Sequence, residues 1–143
     1  MSRPPIVIDT NVIIAAMRSQ RGASALLLSL LGKDRFEIHL SVPLVLEYED
    51  VLLRQRDRLG LTIDDIDTLV DSLCALGVRH EHIHFNWRPS LPDERDEHIL
   101  DLAVKGQCEA IVTYNTRDFI GVERFGLRAI DPQTFLRELG VIP

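Results

Sequence analysis

Asp9, Glu47, Asp96, Asn115 and Asp118 are the side chains whose type and placement in this sequence could do chemistry together. Asp9 interrupts an apolar run. The β-branched Ile6-Val7-Ile8 before it read as a buried strand, and Val12 onward, with Ala15, Ala16 and Met17, reads as a helix packed on that strand. Asp9 therefore stands at the C-terminal end of the first strand, and in open α/β sheets ligands bind in the crevice outside the strand ends. Helix capping by Asp9, Thr10 or Asn11 would account for the same residues without any site. Asp96 is harder to explain as structure. Its spacing puts it on one helical stripe with Ile99, Leu100 and Ala103, while Glu94, Glu97 and Asp101 point away. A carboxylate on an apolar face needs a cation, a donor or a site, because burying it unpaired is costly. Glu47 flanks the Leu44-Tyr48-Val51 stripe, but Glu49 flanks the Val45 and Leu52 side equally, and periodicity does not choose between them. Asn115 and Asp118 follow the fourth strand, where either a turn or a crevice wall would use them. Carboxylates gathered at one crevice would suit a hard divalent cation.

The elements that must position these residues alternate along the chain. After the first strand and helix comes a polar break at Arg18-Ser19-Gln20-Arg21-Gly22, then an apolar helix over 23–31 stopped by Gly32. Residues 36–40 alternate as a second strand, and Ser41 caps a helix with Pro43 in its first turn that runs to about Arg58. Thr62 and Asp65 resemble a capping box opening a helix that ends at Gly77. Residues 78–84 read as a polar edge strand and 85–92, with two prolines, as a loop; Asp93 caps a helix reaching Gly106. Strands at 110–113 and 127–130 and a helix from Pro132 to about Gly140 complete the chain. Strands alternating with helices predict an α/β fold with a mostly parallel sheet covered on both faces. No repeat or linker divides residues 1–143, which are expected to form a single domain.

Composition narrows the function classes. No apolar run approaches the roughly 18 to 20 residues that span a bilayer, so no membrane partner is expected. Ile6 to Met17 is broken by Asp9 and Asn11 and makes no signal-peptide core, which leaves a cytoplasmic protein as the expectation. Cys74 and Cys108 have neither metal-ligand spacing nor a disulfide framework and read as reduced core residues. A net charge of −6 argues against a nucleic-acid coat relying on a basic surface. It leaves room for an enzyme whose acidic pocket holds cations that in turn face phosphate. His80, His82 and His84 alternate on one strand face and invite a zinc reading, but no Cys or carboxylate at ligand spacing completes it, so a solvated edge face is expected. His98 lies about 200° around the helix from Asp96 and is left outside the site.

The motifs become specific in combination. Asp9-Thr10-Asn11-Val12 after a hydrophobic strand resembles the opening of PIN-domain nucleases. The resemblance continues through Ser41-Val42-Pro43-Leu44-Val45-Leu46-Glu47-Tyr48, Asp93-Glu94-Arg95-Asp96-Glu97-His98, Ile111-Val112-Thr113-Tyr114-Asn115-Thr116-Arg117-Asp118 and Gly126-Leu127-Arg128-Ala129-Ile130-Asp131. The subgroup it is most similar to is the small toxins of prokaryotic toxin-antitoxin pairs, the VapC-like ribonucleases. The resemblance implies a PIN-like three-layer sandwich with about five strands in the order 3-2-1-4-5. It assigns Asp9, Glu47 and Asp96 to a catalytic acidic cluster that binds Mg²⁺ or Mn²⁺, one or two ions, and so chooses Glu47 over Glu49. Asn115 occupies a place where many relatives carry Asp; it or Asp118 would complete the fourth position, with Thr10, Asn11, Ser41, Asp93 and Thr113 in support. It further implies an RNA substrate, a cognate antitoxin and a homodimer. Arg18, Arg21 and Arg117 are candidate phosphate contacts, as are Arg54, Arg56 and Arg58.

Two rival readings remain at this level. A phosphotransferase of the haloacid dehalogenase kind would need a second Asp two residues after Asp9, where this chain has Asn11. A PIN-like binding module that has lost its metal is kept open by Asn115 and opposed by Asp9, Glu47 and Asp96 together.

Overall fold

The computed structural model describes residues 3–81, 83 and 90–143. Strand β1 (Pro5–Ile8) leads into α1 (Thr10–Arg18) and α2 (Ala23–Ser29), then β2 (Glu37–Ser41), α3 (Val42–Arg54), α4 (Arg56–Leu59), α5 (Ile63–Leu76) and β3 (Val78–His80). A single 3-10 turn, Glu94–Asp96, opens α6 (Glu97–Lys105); β4 (Ala110–Val112), two further 3-10 turns, β5 (Arg128–Ile130) and α7 (Pro132–Glu138) follow. The five strands form one sheet in the order β3-β2-β1-β4-β5, and every pairing is parallel. This is the α/β architecture and strand order expected.

The sheet is covered on both faces, which is why its strands read as continuous apolar runs. Ile6, Val7 and Ile8 are buried, as are Ala110, Ile111 and Val112 beside them. Register then decides what meets at the sheet's edge. Ile8 pairs with Val112 and Ile6 with Ile38, so Asp9, Thr113 and Ser41 reach the C-terminal rim at one level. The Ser41 hydroxyl accepts from the Leu44 amide at 3.3 Å and starts α3 there, with Pro43 in its first turn. The box at the start of α5 is complete: Thr62 caps Asp65, and Asp65 returns to the Thr62 amide.

Several boundaries differ from expectation. The helix expected to reach Arg58 breaks at Gln55 (φ −104°, ψ 8°) and resumes as the short α4, ended by Gly60 at φ 69°. Gly60 is in the left-handed region where a glycine costs least. Strand β3 stops at His80, and its expected continuation through His82 and His84, like most of the expected loop 85–92, lies outside the described residues. Cys74 and Cys108 are free, and burial pushes the Cys108 thiol up to about 12, in keeping with an inert core residue. Among the described residues no helix is long and apolar enough to cross a membrane.

Candidate active site

Asp9 caps α1 and also lines the crevice at the end of β1. Its Oδ1 accepts from the Thr10 amide at 2.8 Å, capping α1, and its Oδ2 accepts from the Thr113 hydroxyl at 2.8 Å and faces the Asn11 amide at 3.4 Å. Asn11 ties the wall together, since its Nδ2 also lies 3.3 Å from Thr113 Oγ1 and its Oδ1 accepts from the Tyr114 amide at 3.2 Å. Asp9 and Thr113 are buried. Burial is the chief reason that the Asp9 carboxyl lies above its ordinary pKa; the Thr113 and Thr10 hydrogen bonds work against that rise, and the Glu47 charge adds to it.

Helix α3 brings Glu47, not Glu49, to this wall. Thr10 Oγ1 donates to Glu47 Oε2, and His98 Nε2 donates to Oε1 at 3.2 Å. Burial works to raise Glu47, but these bonds and the His98 charge outweigh it, and its carboxyl is held below the usual value. The next residue, the buried Tyr48, donates its hydroxyl to the Ile8 carbonyl, pinning α3 to the end of β1 next to Asp9. Burial, then the charges of Asp9 and Glu47, push that phenol well above its ordinary range, so it stays a donor.

Asp96 ends the 3-10 turn and caps α6 by position, with no side-chain capping bond. Among the described residues its carboxylate takes no hydrogen bond. It is half-buried above Ile99, Leu100 and Ala103, all buried as the stripe required. Burial first, then the charges of Asp9, Asp93, Asp118 and Glu47, raise its pKa to about 6. Asp118 therefore stands within electrostatic reach of the cluster. Asn115 is exposed, with its backbone amide donating to Thr113 Oγ1 at 3.0 Å. Asp93 caps the 3-10 turn through the Arg95 amide and is paired with the Arg95 guanidinium at 2.9 Å, which holds its carboxyl below the ordinary value.

One expectation needs correction. His98 belongs to the site, because Glu47 reaches it from α3; the angle separating it from Asp96 on one helix was the wrong comparison. Its Nδ1 is buried with no partner among the described residues. Glu97 and Asp101, expected off the Asp96 stripe, are nonetheless half-buried, and Glu97 accepts from the Ser90 amide. Of the arginines, Arg18 lines a groove beside Thr10, whereas Arg21 and Arg117 are exposed and make no ion pair among the described residues.

The donor set suits a hard cation: carboxylate oxygens dominate, with amide and hydroxyl oxygens beside them. No three His, Cys, Asp or Glu side chains among the described residues stand close enough to close on an ion by themselves. Oxygen donors of this kind are those Mg²⁺ takes, one or two carboxylates at a time with several retained waters.

A parallel α/β sheet with an acidic crevice at its C-terminal rim defines a class of ligand-binding and hydrolytic proteins. Within it, residues 5–117 match the PIN domain family, and the chain belongs to that family, whose members are generally nucleases. The fold is similar to that in the crystal structure of VapBC2 from Rickettsia felis bound to a DNA fragment from their promoter. The match has a TM-score of 0.59 and 15% identity, covering 89% of this chain and 99% of that one. No curated protein matches the chain.

Proposed function

We propose that the chain is a divalent-metal-dependent endoribonuclease, acting in the cytoplasm as the toxin of a toxin-antitoxin pair. The observation that carries the nuclease reading is Asp96: a half-buried carboxylate without a hydrogen-bond donor, facing the negative charge of Asp9, Glu47 and Asp118. Such a cluster is unfavourable by itself and is relieved by a cation. Asp9, Glu47 and Asp96 would hold Mg²⁺ or Mn²⁺, partly through the ion's retained waters since they do not close on it directly, with Asp118 or the neutral Asn115 in the fourth position. When bound, the ion supplies charge neutralisation for the phosphate and a nucleophilic water at neutral pH. The chain's own groups set the stage. Thr113 and Asn11 orient Asp9, Thr10 and His98 orient Glu47, and Tyr48 fixes the distance between their two elements.

The toxin assignment is supported by the likeness to a VapBC complex and by exposed apolar side chains on α3 and α5, namely Val42, Leu46, Ile63 and Leu76. Apolar surface of this kind marks contact with partners, here an antitoxin and a second copy of the chain.

The test is cleavage of a mixed structured RNA by the purified protein with Mg²⁺, Mn²⁺ or EDTA, beside an Asp96→Asn variant. Cleavage that requires metal and is lost in the variant supports the reading. A wild type inactive with every metal, whose melting temperature ignores them, replaces it with a binding module.

A further inference from the structure

A groove of about 560 Å³ opens directly beside the acidic cluster, starting at Thr10 and Asn11 and running along α1 to Arg18. Ile14, Ala15 and Val51 give it an apolar lining. Gln55, at the break between α3 and α4, and Tyr114 also line it. Tyr114 is 47% exposed, yet it is held at both ends. Its amide donates to Asn11 Oδ1, and its hydroxyl lies 2.6 Å from the hydroxyl of the buried Ser24 on α2. A ring so fixed presents a ready surface at little entropic cost. Arg18 is the groove's one charged lining residue among those described, in a chain whose net charge is −6.

We propose that this groove is a nucleotide subsite: it takes one unpaired nucleotide of the substrate strand, flanking the phosphate at the acidic cluster. The base lies against the Tyr114 ring, Gln55 meets the base edge, and Arg18 meets the adjoining phosphate. The proposal rests on the ribonuclease reading for its substrate. Three features select a nucleotide over a peptide. The groove is continuous with Asp9 through Thr10 and Asn11. A positive charge without a negative one complements a phosphate. An anchored, half-exposed aromatic beside the groove is the kind of residue on which single-stranded nucleic acid stacks, because every base has a π-face. The volume lies within the roughly 300–1,000 Å³ of ligand-binding clefts.

The test is fluorescence anisotropy of labelled single-stranded RNA dodecamers of A, C or U, in EDTA and in Ca²⁺, with wild type, Tyr114→Leu, Tyr114→Phe and Arg18→Ala. Thermal melts establish that each variant is folded. Tyr114→Leu should weaken binding roughly five- to hundred-fold, the range for losing one stacked base. Tyr114→Phe should retain most of it. Arg18→Ala should weaken all three RNAs alike and flatten the log-log salt slope by about 0.7, one phosphate contact on a single strand. A wild type that binds none of the RNAs, or a folded Tyr114→Leu that binds as wild type does, overturns the subsite. So does a Tyr114→Leu variant that loses only a protein partner, which would make the groove a peptide-docking surface. The two readings fail separately: Tyr114-dependent binding without metal-dependent cleavage sinks the nuclease and keeps the subsite, and cleavage indifferent to Tyr114 does the reverse.

Discussion

Two polar clusters are buried at the rims of this sheet, and their hydrogen bonding could hardly differ more. On β2 and β3, His39 is 5% exposed and both its ring nitrogens are engaged: Nε2 donates to Glu37 Oε1 at 2.8 Å, and Nδ1 lies 2.8 Å from His80 Nε2, the two rings stacked at 5.0 Å. A carboxylate only accepts, so Glu37 fixes the Nε2–H of His39, and a neutral His39 then accepts from His80 at Nδ1. Beyond the ends of β1 and β4, Asp96 stands within electrostatic reach of Asp9, Glu47 and Asp118 and has no donor among the described residues. The first cluster is complete within the chain. The second leaves Asp96 without a donor among the described residues, and on the proposed reading that difference would separate polar residues kept for the fold from those kept for a ligand.

The largest effect that would break the contrast is expected from Asp96→Asn. Cleavage should fall by more than the roughly 10–100-fold typical of losing an outer-shell partner, while the metal-free protein melts at a higher temperature because repulsion is relieved. Lower stability in the metal-free variant would mean that the cluster is not strained. Thr113→Val keeps the volume near Asp9 but removes its donor, and should reduce metal-dependent cleavage roughly 10–100-fold. In the other cluster, Gly106→Ala would set a Cβ 2.5 Å from His39 Nδ1 and 3.1 Å from Cys108 Sγ. It should cost about 1–3 kcal/mol of stability, read by denaturant unfolding, with the metal-induced rise in melting temperature intact. Loss of that rise would show that the clusters are coupled.

The sequence makes the inner strands and Asp9 readable because β-branched runs and their polar ends are local features, whereas the strand order is implied only by the family resemblance. Asp96 was legible from the mismatch between its charge and its stripe. Glu47 was not separable from Glu49 by pattern, because α3 is apolar over much of its circumference and the choice is made by the approach of Thr10 and His98 from other elements. His98, the Tyr48 anchor on Ile8 and the Tyr114 anchor on Ser24 were missed for the same reason. Each depends on how two elements pack, across 51, 40 and 90 residues of chain. The break at Gln55 and the 3-10 turn before α6 are likewise details of chain path that a helical period does not encode. His80 was expected on a solvated face, and instead turns to His39, a partner one strand away.

The smallest expected effect sharpens the comparison most, because the two clusters respond to acid in opposite directions. Asp96 has a folded pKa of about 6, above its ordinary 3.8, owing to burial and then to Asp9, Asp93, Asp118 and Glu47. Between these values the folded state holds more protons than the unfolded one, so the stability of the metal-free protein falls as pH rises through that window. His80 is shifted the other way. Burial, then the charges of His39 and Lys105, lower it below 6.5, so the folded state holds fewer protons there, and stability falls as pH drops below that value. Melting temperatures from pH 4 to 7 in EDTA would contain both slopes. Asp96→Asn should remove the larger descending contribution, leaving the smaller one from the raised Asp9 carboxyl, and make the profile less descending with pH. Saturating Mg²⁺ should do the same in the wild type, since a cation favours the ionised cluster. A wild-type profile unchanged by either would mean that the acidic rim is no less self-sufficient than the histidine pair.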